Sequence, residues 1–190
     1  MTATRHYLFF AIRPDAGAAQ QIGRLAAEFG ARHGLTGRPV AARRLHISLN
    51  FVGKLGKPDP QVIGRAIAAV AGLNLPPFVV ALDRVGTWGR GDGGRPLVMW
   101  ADDGVIGVRQ LHAAIHEALA PTGLVPRIEP NIEPHLTLLR DRAEAPLEFI
   151  APVKWTVEEF VLLDSLRGEG RHEVLGRWRL FDNPPPMGAC

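Results

Sequence analysis

The feature that most constrains this chain is a short run that occurs twice: LHISLN (Leu45–Asn50) and, 89 positions later, PHLTLL (Pro134–Leu139). Each copy reads histidine, apolar residue, small hydroxyl residue, apolar residue. Alternate side chains of a strand point to opposite faces, so His46 and Ser48 share one face while Ile47 and Leu49 share the other. His135 and Thr137 separate from Leu136 and Leu138 in the same way. Each copy is therefore a strand with one face for a core and one for chemistry. The chain has seven histidines. Chance would produce two such runs on the order of a few times per thousand comparable chains.

The surroundings repeat as well. LFFA (Leu8–Ala11) begins 38 residues before His46, and LVMW (Leu97–Trp100) begins 38 residues before His135. Between strand and histidine each half has a helical stripe: Ile22, Leu25, Ala26 and Phe29 in the first, Leu111, Ile115, Ala118 and Leu119 in the second. Pro121 and Gly123 close the second helix. FVVALDR (Phe78–Arg84) and FVLLDS (Phe160–Ser165) supply a further strand after each histidine run. The order strand, helix, histidine strand, strand occurs twice, which points to duplication. Duplicated halves pack about a pseudo-two-fold axis, and this brings equivalent strands to the centre. The expectation is an α+β fold of two similar lobes, each a mainly antiparallel sheet with outer helices, around a V-shaped central cleft. Residues 1–182 would form this single domain, with 183–190 a disordered tail.

Composition narrows the classes. Apolar content of 46% with 22% charged residues is that of a globular protein, and the longest apolar runs are strand-sized, far below a membrane span. Met1–Arg13 reads as a first strand rather than a signal peptide. Cys190 is the lone cysteine, which removes a disulfide framework and a Cys-rich metal site, and the cytoplasm is the expected compartment. Net charge is +3, made of 19 arginines and three lysines against 19 acids. Genomic base composition accounts for this bias, and so does an anionic partner, since guanidinium matches phosphate oxygens in a bidentate way. Charge does not choose between them.

Two imidazoles across a cleft suit a reaction in which one proton is removed and another delivered, because the histidine pKa near 6.5 lets one ring be neutral and the other charged. The two hydroxyls are suited to donate to negatively charged oxygens. A phosphodiester fits this frame, with two non-bridging oxygens between an attacking and a leaving oxygen.

HISL (His46–Leu49) and HLTL (His135–Leu138) resemble the paired H-x-[ST]-x motifs of the 2H phosphoesterase superfamily. YLFFAI (Tyr7–Ile12), His46–Gly53, Pro134–Arg140 and GRHEVLGRW (Gly170–Trp178) are similar to its RNA 2′,3′-cyclic phosphodiesterase branch, historically the 2′-5′ RNA ligases. The resemblance implies metal-independent, cofactor-free opening of a terminal 2′,3′-cyclic phosphate on RNA to a 2′-phosphate. It makes His46 the general acid on the departing 3′ oxygen and His135 the general base on water, with Ser48 and Thr137 holding phosphate oxygens. The motif residues alone permit either acid/base assignment. Arg140 matches the family's phosphate-side arginine, although strict alternation puts it opposite His135 unless the strand ends or bulges. Ser48 departs from the threonine usual in this branch. Phe51, Phe10 and Arg43 are further candidate substrate contacts, each with a plain alternative: core for the two phenylalanines, solvent for Arg43. Implied partners are RNA ends or small 2′,3′-cyclic nucleotides, with no membrane and no obligatory protein partner. Rival readings are a 2′-5′ RNA ligase or 2′-5′ phosphodiesterase using the same site, and a non-catalytic RNA-end binding module.

Two other signals are set aside. GRGDGG (Gly89–Gly94) satisfies G-x-G-x-x-G but runs into a strand rather than a helix, and so reads as a connection between strands. His112 and His116 have helical metal-ligand spacing without the accompanying glutamate, and read as a solvated helix face.

Overall fold

The computed structural model describes residues 5–89, 94–128, 130–167 and 169–181. Residues 90–93 of the glycine-rich connection and the expected tail 183–190 lie outside this range. Strands are β1 (Arg5–Ile12), β2 (Ile47–Leu55), β3 (Phe78–Thr87), β4 (Arg95–Trp100), β5 (His135–Asp141), β6 (Glu148–Val157), β7 (Glu159–Arg167) and β8 (Arg171–Arg179). Helices are α1 (Ala16–Arg32), α2 (Pro60–Val70) and α3 (Ile106–Leu119). The fold is α+β, as expected.

Local chemistry explains the helices. Asp15 caps α1 by accepting from the Ala18 N–H at 2.7 Å, and the stripe of Ile22, Ala26 and Phe29 is buried. The second stripe lies on α3, where Leu111, Ile115 and Leu119 are buried. Gly123, at φ 71°, takes the left-handed conformation that ends the following turn. Helix α2 was not anticipated, although Asp59 caps it and Pro60 opens it.

All strand pairs are antiparallel, in the order β6-β3-β4-β5-β2-β1-β7-β8. The two histidine strands meet at the centre through Ile47 opposite Leu136, as the duplication requires. Two features differ from the simple repeat. A later strand of each half crosses over: β3 of the first half pairs with β4, and β7, which follows β6 in the second half, pairs with β1. The equal 38-residue spacing is also not a structural equivalence. Ile12 opposes Ile47, 35 positions on, whereas Met99 opposes Leu136, 37 positions on.

β6 and β7 lie far apart in the strand order, yet Glu158 alone separates them in sequence. Two Cα steps span at most about 7.6 Å, so the sheet must bend until those strand ends meet. One continuous core joins the helix stripes to Leu8, Phe10, Ile12, Ile47, Leu136, Leu138 and Phe160. A smaller cluster of Phe9, Ala11, Val161 and Leu163 lies on the opposite face of the sheet, and the candidate site is on that face. Among the described residues, no helix is long and apolar enough to cross a membrane.

Candidate active site

Antiparallel register around the Ile47–Leu136 pair sets His46 across from Thr137 and Ser48 across from His135. Each imidazole thus faces the hydroxyl contributed by the other half. His46 and His135 become diagonal neighbours, with backbone positions about 7–8 Å apart and rings long enough to converge on one small group between them.

The two rings are anchored alike. His46 Nδ1–H donates to the Arg44 carbonyl at 2.7 Å, and His135 Nδ1–H donates to the Glu133 carbonyl at 2.8 Å. A carbonyl can only accept, so Nδ1 holds the proton on each neutral ring and Nε2 is the free atom. The residue between anchor and histidine is buried in both copies, Leu45 in one and Pro134 in the other, which holds each carbonyl in place.

Beyond the motif both strands break alternation. In β2 the partners step from Leu8–Gly53 to Phe9–Phe51, skipping Val52, and then to Ala11–Ser48. In β5 they step from Leu97–Leu139 to Val98–Thr137, skipping Leu138. Leu138 and Leu139 consequently both enter the core. Phe51 and Arg140 return to the histidine face, since Phe9 and Ala11 face Phe51 and Ser48, while Pro96 and Val98 face Arg140 and Thr137. The bulge removes the geometric objection to Arg140. Phe51 is 54% exposed. Arg43 is exposed on the 3-10 turn Ala42–Arg44. Phe10 is not on this face: it is fully buried, with its ring 5.7 Å from Trp178 and 6.1 Å from Phe160. Its neighbour Phe9 takes the place instead, 5.2 Å from the His46 ring.

The structure adds residues that the sequence reading passed over. His172 on β8 meets His46 edge-on at 5.1 Å. Trp88, just beyond β3, lies 4.8 Å from the His135 ring and 5.1 Å from Trp100. The Ile12–Ile47 pairing brings Arg13 across from His46. GRHEVLGRW signalled the region of His172, but periodicity gives no signal for Trp88, and LFFA offers two adjacent phenylalanines without saying which faces inward.

These neighbours set the electrostatics. Burial pushes the His46 pKa below 6.5; the bond to the Arg44 carbonyl works against this, and the charges of Arg13, Arg44 and His135 add to the lowering. Burial, then His46, Arg44 and Arg13, lower His172 to about 4. The His46 wall is thus a positive region that favours an anion.

The histidines of α3 do not form a solvated face. His112 and His116 are 2% and 5% exposed. Helix α3 packs against both α2 and β2, and His112 Nε2–H donates to the Pro130 carbonyl at 3.2 Å. Among the described residues, no three His, Cys, Asp or Glu side chains are grouped to hold a metal.

A family model described as the 2′-5′ RNA ligase superfamily matches residues 13–169. The chain is 33% identical over 178 residues, 91% of its length and 96% of the relative's, to an RNA 2′,3′-cyclic phosphodiesterase of Escherichia coli K12. It is similar to the solved structure of E. coli LigT in its apo form, with a TM-score of 0.71, 31% identity, and coverage of 93% of this chain and 98% of that one. LigT complexed with 3′-AMP matches with a TM-score of 0.68, 30% identity and the same coverage.

Proposed function

The chain belongs to the 2′-5′ RNA ligase superfamily, the group with paired histidine motifs, and we infer that its site opens the terminal 2′,3′-cyclic phosphate of RNA to a 2′-phosphate. One observation carries the reading. Two imidazoles with the same Nδ1 anchor stand diagonally across one strand pair, each opposite the other half's hydroxyl. The identity of the E. coli relative and the nucleotide held by LigT support a nucleotide end as substrate.

Water attacks phosphorus from the His135 side, and Nε2 of that ring takes its proton. The P–O3′ bond breaks on the opposite side, and His46 delivers a proton from Nε2 to the departing oxygen. The product is a 2′-phosphate beside a free 3′ hydroxyl. His46 must enter the reaction as imidazolium. Burial makes that proton easy to transfer, while the bound anion draws it onto the ring beforehand. Ser48 and Thr137 donate to the non-bridging oxygens, Arg140 neutralises the phosphate, and Phe51 and Arg43 meet the nucleoside and the RNA backbone. The strand bulge lets Arg140 act from the same face as His135. A cytoplasmic location suits such a substrate.

The test is incubation with adenosine 2′,3′-cyclic phosphate in chelator, followed by identification of the product isomer. Adenosine 2′-monophosphate is expected, with kcat reduced by about 10² to 10⁴ in His46→Ala and in His135→Ala. A 3′-monophosphate, no turnover, or full activity in either variant would contradict the assignment.

A further inference from the structure

The two walls carry matching motifs in unlike surroundings. Trp88 backs His135, whereas cations surround His46. Arg13 follows β1 directly and stands across the ladder from His46. Arg44 lends its carbonyl to His46 and extends its guanidinium over the β7–β8 turn, where Nη1 lies 3.6 Å from the position a Cβ on Gly170 would occupy. His172, whose ring is neutral with its pKa lowered to about 4, stands beside them against His46.

Among the described residues the acids near Arg13 offset this charge only in part, with Glu159 acting on Arg13 while also engaged by Arg177. Of the carboxylates lining the hollow beside Arg13, Asp15 caps α1, Glu159 is held by Arg177 at 2.5 Å, and Glu158 is exposed. The Nε atoms of Arg13 and Arg44 are both buried with no hydrogen-bond partner. Buried guanidinium N–H groups without acceptors are costly, and a bound anion relieves that cost. Burial is the main cause of the lowered His172 pKa, and the charges of His46, Arg44 and Arg13 lower it further.

The reaction geometry says which anion reaches this place. If His46 protonates the 3′ oxygen, the ribose lies on the His46 side and water enters from the His135 side. The 5′ carbon of that ribose, and the phosphate it bears in any oligonucleotide, then extend along the wall that holds Arg13 and Arg44. We propose that Arg13 and Arg44 form a second phosphate subsite for the phosphodiester on the 5′ side of the terminal nucleoside, so that an oligonucleotide end is preferred to a mononucleotide. Guanidinium groups suit this role because they can bind two oxygens of one phosphate at once. The subsite rests on the cyclic-phosphodiesterase reading above.

The experiment compares kcat/KM for adenosine 2′,3′-cyclic phosphate with that for the same nucleotide bearing a 5′-phosphate. It is run in chelator at low salt on the wild type, Arg13→Gln and Arg44→Gln. In the wild type the 5′-phosphate raises kcat/KM by about ten- to a hundredfold. Within each variant that ratio falls toward one, and added salt compresses the wild-type ratio. Equal turnover of the two substrates by the wild type, or a ratio kept by both variants, overturns the subsite and leaves the phosphodiesterase reading standing. Turnover of neither substrate overturns that reading and the subsite with it.

Discussion

His46 and His135 make the same Nδ1 bond but stand in different fields. His46 is wedged between Phe9 and His172, within reach of two guanidinium charges, and this has a consequence for pH dependence. As general acid, His46 must be protonated in the free protein for productive encounter. That fraction declines as pH rises through a pKa which burial has moved below 6.5. kcat/KM therefore falls on the alkaline side of that value, which places the optimum on the acid side of neutrality. kcat holds to higher pH, because the bound phosphate favours the imidazolium form. A kcat/KM profile that stays flat from about pH 5 to 8 would contradict the acid role of His46. The paired motifs made both histidines and both hydroxyls legible as site candidates from the sequence. His172 and Arg13 were not, because their nearness to His46 arises from β1 pairing with both β2 and β7, and β7 with β8.

At the scale of elements, the bulge in β5 decides whether Arg140 shares a face with His135. The segment before the first motif straps this strand at that point. The Val40 N–H donates to the Leu138 carbonyl at 2.7 Å, and the N–H groups of Thr36 and Gly37 donate to Asp141 at 2.6 and 2.5 Å. Gly37 is needed because a Cβ there would stand 2.1 Å from the Arg140 carbonyl oxygen. Gly37→Ala therefore forces the strap off β5. It should cost about 1–3 kcal/mol of stability and raise KM by displacing Arg140. A thermal melt and a KM both at wild-type values would contradict this role for the strap. Alternation carried the sequence reading up to Thr137 and failed where an extra residue entered, since periodicity contains no record of a bulge. Helix α2 was missed for a different reason: the second half has no helix between β5 and β6, so the repeat gave no prompt for one. β6 contains Pro152, which weakens a strand pattern, but β6 is an edge strand, where a missing N–H is tolerated.

At the scale of the molecule, duplication explains why β2 and β5 lie side by side, but the halves are interleaved rather than merely juxtaposed. β3 leaves the first half to pair with β4, and β7 leaves the second to pair with β1. Each four-strand group therefore contains strands from both halves, which ties the two histidine walls into one continuous sheet. The sequence order of elements revealed the repeat. It could not reveal the exchange, because both arrangements satisfy the same apolar pattern. The central claim is that this sheet presents two imidazoles to one phosphorus centre, and an NMR titration of the histidine ring signals with adenosine 2′-monophosphate tests it most directly. His46 and His135 should shift together along one saturation curve at one nucleotide per chain. A response from one ring alone, or two rings saturating with separate affinities, would contradict the account.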